Sequence, residues 1–203
     1  MKNKFGITIL VGLVISTNIQ AAPYCGELLN VHDYANAEDR TLLHTVEQHH
    51  FTPNVENLRH GNTGTVGGDL GYTLMLFPNH YRALAALGKL SLREKNLKPG
   101  GIKYSVGCFF DRAIRFKPND AIVRMVYGNY LLKAGQMNDA VEQLQAAADL
   151  DPENPTISYN AGLAYIQKKD YDKARTHAKR AYELGFPLPG LKNQLIKAGK
   201  WDE

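Results

Sequence analysis

The chain has 203 residues, 44% of them apolar and 22% charged, a balance that allows a sizeable buried core and excludes intrinsic disorder. Its 24 basic and 20 acidic residues leave a formal charge of only +4, far from the concentrated basic face that nucleic-acid binding requires. Two cysteines are too few for a disulfide scaffold, and one folded domain is the expectation.

Residues 1–22 differ from the rest. Lys2 and Lys4 precede an uncharged apolar run from Phe5 to Ile15, then Ser16-Thr17-Asn18 leads to Ala21-Ala22, the pattern of a secretory signal peptide with a cut expected after Ala21. As a helix the run would rise only about 16 Å, short of a bilayer core of about 30 Å, which argues against a retained anchor. Ala22-Pro23-Tyr24 before Cys25 lacks the small residues that a lipid-attachment cysteine would have abutting it. Without Lys2 and Lys4 the chain keeps 22 basic and 20 acidic residues, a charge of +2. No later stretch is long and apolar enough to span a membrane. The expected product is exported, periplasmic first and secreted as the alternative. In an oxidising compartment Cys25 and Cys108 have one possible pairing, worth about 4 kcal/mol in the chain-entropy model, with two free thiols as the alternative.

Residues 23–51 carry no repeat signature, and Tyr24-Cys25-Gly26 and Asn30 to Ala35 read as an extended arm lying on the remainder. Thr52-Pro53 is a helix start, with the hydroxyl as cap and proline at the first helical position. A short helix over Asn54 to His60 is expected to stop at Gly61, and a second to enter through Thr65 and run from Val66 to Phe77. Residues 81–120 continue after the Phe77-Pro78-Asn79-His80 stop. Within them Lys98-Pro99-Gly100-Gly101, at the centre of Ser91 to Lys103, cannot be helical and reads as an exposed, tolerated loop.

Residues 121–154 and 155–188 align over 34 residues without a gap. Tyr127-Gly128 matches Ala161-Gly162, Leu131 matches Tyr165, Ala140 matches Ala174 and Ala147 matches Ala181. Arg124 to Lys133 and Ser158 to Lys168 show apolar spacings of three and four, and second amphipathic runs follow over Asn138 to Leu150 and Tyr171 to Leu184. Each unit is therefore a helical hairpin. Gly128, Ala140, Gly162 and Ala174 are small enough for close axial approach, and Lys117-Pro118 and Asp151-Pro152 end the second helices. Leu87-Gly88 takes the place of Tyr127-Gly128 in the earlier, 40-residue unit. Pro189 to Gly199 fits a capping helix with Leu191, Leu195 and Ala198 inward and Lys192, Asn193, Lys197 and Lys200 in water.

This pattern resembles the tetratricopeptide repeat, and residues 44–201 look like exported bacterial proteins of that type. The fold expected is all-α: a solenoid of about three to four helical hairpins over 52–203, with a C-terminal capping helix (189–203) and an irregular N-terminal arm. The repeats are placed at 52–80, divergent, then 81–120, 121–154 and 155–188. The resemblance implies a non-enzymatic scaffold that holds a protein or peptide in a groove walled by the first helix of each hairpin. Carrying over the inner-face positions puts Arg82, Ala85, Ala86 and Lys89 in that wall, with Ile122, Met125, Val126 and Asn129 from the next unit. Tyr159, Asn160, Leu163 and Ile166 or Gln167 come from the last. Asn129 and Asn160 match two asparagines with which some relatives hold a terminal carboxylate, but Met125 stands where their first lysine would be. The alternative is a groove filled by the arm itself.

Seven histidines are the obvious catalytic currency, four of them at His44, His49, His50 and His60. A metal or catalytic site there is the second functional reading, although no two of these histidines have the i, i+4 spacing that would align ligands on one helix face. No serine-nucleophile turn, phosphate loop or Cys-x-x-Cys pair occurs, so neither an enzyme nor a cofactor is expected.

Overall fold

The structure is a computed structural model that describes residues 24–202. The expected signal segment lies outside the described residues. Within them the chain forms ten helices and no strand. In order these are α1 (Arg40–His50), α2 (Pro53–Glu56), α3 (Val66–Leu76), α4 (Tyr81–Glu94), α5 (Val106–Phe116), α6 (Ala121–Lys133), α7 (Met137–Leu150), α8 (Pro155–Gln167), α9 (Tyr171–Glu183) and α10 (Gly190–Lys197).

Local chemistry sets most helix ends. Thr52, Thr65, Ser105, Asp120, Asn154 and Asp170 each accept a hydrogen bond from a backbone N–H in the first turn, satisfying donors that the helix itself leaves open. His80 does the same for α4 through Nδ1. Pro53 and Pro155 sit in the first turns of α2 and α8, where a missing N–H costs nothing. The helices α3, α5 and α7 stop just before Pro78, Pro118 and Pro152, as the residue preceding proline requires.

The hairpins α6/α7 and α8/α9 pack closely, and α4 lies on α6 and α6 on α8, so the first helices form one continuous wall. Small residues permit the contact. A Cβ added to Gly128 would sit 2.5 Å from Leu144 Cγ and 3.1 Å from the Ala140 carbonyl oxygen. At Gly162 it would sit 2.5 Å from Leu191 Cδ2 and 3.3 Å from the Ala174 carbonyl oxygen. The residue one period after Leu144 is Ala178, and the space it leaves is taken by Leu191 from α10. The capping helix thus completes the last hairpin, with Leu191 and Leu195 fully buried.

Residues 24–39 form an irregular arm, and three side chains of α5 hold its start. Cys25 is disulfide-bonded to Cys108, with the Cα atoms 5.1 Å apart. Arg112, 1% exposed, donates from Nη1 to the carbonyls of Cys25 (3.3 Å) and Glu27 (2.7 Å) and lies over the Tyr104 ring. Arg115 Nη2 donates to the Gly26 carbonyl at 3.0 Å. Burial pulls the Arg112 guanidinium pKa down, and the arm carbonyls replace at Nη1 part of the water it has lost, while the buried Nε has no partner among the described residues. Farther along, Asp33 accepts from Lys117 Nζ and Asn79 Nδ2, both at 2.7 Å.

Four details differ from the sequence expectations. The arm ends at residue 39 rather than 51, because Arg40–His50 is helical and buries Val46 where α1 packs on α3. The helix expected over Asn54 to His60 is a single turn, Pro53–Glu56, and Leu58 follows with a left-handed φ of 57°. The loop at 98–101 is not simply exposed: Pro99 and Ile102 are buried, and Ile102 packs against Gly71 in the main core. Thr65 Oγ1 also donates to the Gly100 carbonyl at 2.9 Å. Finally, Ala198 is exposed, because α10 ends at Lys197 and the inward stripe stops with Leu195.

Candidate functional site

Stacking α4, α6 and α8 aligns their unpaired faces into a trough. Its first depression, of about 160 Å³, is lined by Ala85, Gly88, Lys89 and Leu92 of α4 and by Val126, Asn129, Tyr130 and Lys133 of α6. A second, of about 410 Å³, continues from Asn129, Leu132 and Lys133 to Asn160, Leu163 and Gln167 of α8. Asn129 and Lys133 line both, so the two are one surface. Gly88 matters here, since a Cβ on it would stand 3.0 Å from the Tyr130 ring that forms the floor. No described arm residue lines either depression; the arm runs instead over α5 and the α3–α4 corner.

The expected wall residues divide into two groups. Lys89, Asn129, Asn160 and Leu163, put in the wall by the resemblance, line the trough. Arg82, Met125 and Tyr159 lie elsewhere. Arg82 makes a two-pronged pair with Glu56 (2.9 and 2.6 Å), lies 3.6 Å from Glu47 and covers the Phe51 ring. It helps line a separate polar recess with Tyr34, Arg40, Leu43, His44 and Glu47. Met125 packs into the core between α6 and α8, its sulfur 3.7 Å from Asn160 Nδ2. Tyr159 stacks on Phe186 with ring centroids 4.0 Å apart, bracing the capping segment. Lys133 was not singled out from sequence, yet it follows Asn129 by four residues and so shares its helix face.

The histidines do not converge. His50 Nδ1 donates to Asp69 at 2.9 Å and its ring stacks on Tyr72, while His44 bonds Gln48 and His60 bonds the Gly61 carbonyl. Burial alone would raise the Asp69 carboxyl. Hydrogen bonds from Thr63, His50 and the backbone of Asn62 and Thr63 outweigh it and hold the pKa below the usual range. This cluster ties the Asn62-Thr63 turn to α1 and α3. Among the described residues no three histidine, cysteine or acidic side chains gather as metal ligands would.

His80 is fully buried, and burial pushes its pKa down to about 3. Its neutral tautomer is set by its neighbours: Nδ1 accepts from the Ala83 N–H, and Nε2–H donates to Glu47 at 3.2 Å. The residue joins α1 to the start of α4 and has no route to a substrate in the trough.

Residues 126–185 match the family model described as tetratricopeptide repeat. Among solved structures, PilF of Pseudomonas aeruginosa aligns with a TM-score of 0.54 at 20% identity, over 79% of this chain and 68% of that one. A MamA RS-1 double mutant aligns at 25% identity and a TM-score of 0.46, over 59% of this chain and 64% of that one. Another MamA structure aligns at 18% identity and 0.46, over 81% and 96%. The likeness to PilF is one of fold.

Proposed function

We propose that this chain, whose residues 126–185 match the tetratricopeptide repeat, is a non-enzymatic scaffold that holds a segment of another protein along the wall of α4, α6 and α8. The observation that carries this reading is the open trough, whose polar side chains Lys89, Asn129 and Lys133 enter no ion pair or hydrogen bond with the rest of the described chain. Polar groups carried on helices beside an apolar floor suit recognition, since the backbone that bears them need not be ordered on binding. Segment 1–22 would direct the chain out of the cytoplasm, and the Cys25–Cys108 bond suits an oxidising envelope compartment such as the periplasm. No helix among the described residues is long and apolar enough to cross a membrane.

Two measurements test the proposal. Protein sequencing of the mature chain should begin at Ala22, and an intact Met1 would remove the export claim. A photo-crosslinking residue at Val126 or Leu163 should form protein adducts in the native host, whereas one at Glu142 on the outer helix α7 should not. Equal adducts from both faces, or adducts from Glu142 alone, would refute the trough as the binding surface.

A further inference from the structure

The first helices and the second helices of the repeats carry different charge. Over α4, α6 and α8 the charged residues are Arg82, Lys89, Arg93, Arg124 and Lys133 against a single acid, Glu94, and α8 has none at all. The second helices α5, α7 and α9 are balanced, with six acids against six bases. The excess positive charge of these helices therefore lies on the first ones. Three of the inner cations are committed: Arg82 to Glu56, Arg93 to the Leu58 carbonyl, and Arg124 to the Pro118 carbonyl and Gln143. Lys89 and Lys133 are exposed, have no ion-pair partner among the described residues, and flank one depression floored by Leu92, Val126 and Tyr130. No carboxylate lines either half of the trough.

Resting on the scaffold reading above, we infer that the occupant of the trough is an acidic polypeptide segment. Two of its side-chain carboxylates pair with Lys89 and Lys133, and an apolar side chain lies between them on Leu92, Val126 and the Tyr130 ring. Exposed ion pairs contribute little each, so the apolar anchor supplies affinity while the lysines select among sequences and repel basic ones. The committed arginines and the single remaining pair of lysines suit a short segment better than a long polyanion.

The test is selection of a randomised twelve-residue peptide library, with blocked termini, on the full mature protein, followed by fluorescence anisotropy of the enriched peptides. The expected peptides carry Asp or Glu on both sides of an apolar residue. Lys89→Glu and Lys133→Glu should each weaken them about fivefold, Lys133→Gln less, and raising the salt should weaken them further. Both lysines are exposed, so these variants keep the fold. Enriched peptides that are neutral or basic but compete with one another and are lost on Leu163→Asp would overturn the acidic class while leaving the scaffold reading intact. No enrichment, or binding unaffected by every trough variant, would overturn both. Tighter capture of a single-stranded oligonucleotide than of any peptide would also overturn the inference.

Discussion

Replacing Gly128 by alanine probes the hairpin contact on which the whole wall depends. In an open helix interior the change stabilises by up to about 1 kcal/mol, because glycine has more backbone freedom to lose. Here the added Cβ would meet Leu144 Cγ at 2.5 Å, about 1 Å or more inside an ordinary carbon contact of about 3.5–4.0 Å. Leu144 is 1% exposed and cannot swing away freely, and the Ala140 carbonyl oxygen at 3.1 Å blocks the other direction. Overpacking of this kind costs about 1–3 kcal/mol, so Gly128→Ala should be net destabilising by about 1 kcal/mol. Gly107, in the first turn of α5, has nothing within 4 Å of its would-be Cβ, and Gly107→Ala should be neutral or slightly stabilising. Denaturant unfolding followed by far-UV circular dichroism measures the difference between the two, expected at about 1–3 kcal/mol. Leu144→Ala should cost about 2–5 kcal/mol alone and distinctly less in the Gly128→Ala background, since the clash is then relieved. Gly128→Ala as stable as Gly107→Ala, or strict additivity with Leu144→Ala, would refute the close-approach argument.

Two other outcomes follow from the arm and from His80. Cys25→Ser with Cys108→Ser opens a loop whose ends are 83 residues apart and should cost about 4 kcal/mol, seen as a lower denaturant midpoint that reductant no longer shifts. An unchanged midpoint, or free thiols in the exported protein, would show that the bond contributes nothing. Burial depresses the folded pKa of His80 below its unfolded value near 6.5, so the stability it contributes is complete above that value and is lost as the pH falls towards about 3. One proton taken up on unfolding gives a slope of about 1.4 kcal/mol per pH unit between those limits. His80→Asn keeps a side-chain acceptor for the Ala83 N–H but does not titrate, and should flatten that slope whatever its effect on stability at neutral pH. A slope identical to the parent's would remove His80 from the acid sensitivity.

Local signals carried much of the architecture. A 34-residue period, capping residues before α3, α6, α8 and α9, and prolines after α5 and α7 set the helices and their order, because each acts within a turn or two of chain. The resemblance to the repeat family, rather than any spacing in the chain, put Lys89, Asn129, Asn160 and Leu163 on inner helix faces. What the chain alone did not decide were matters of distant pairing. Whether Arg82 faces a ligand or an acid depended on Glu56 arriving 26 residues away, and the burial of Ile102 depended on two glycines of α3 leaving room for it. Leu191 fills the space beside Ala178, and the arm carbonyls solvate Arg112, only because separate segments are brought together. Periodicity records which face of a helix is apolar; it does not record which neighbour covers that face or neutralises a charge at its edge, and that is settled when the core closes.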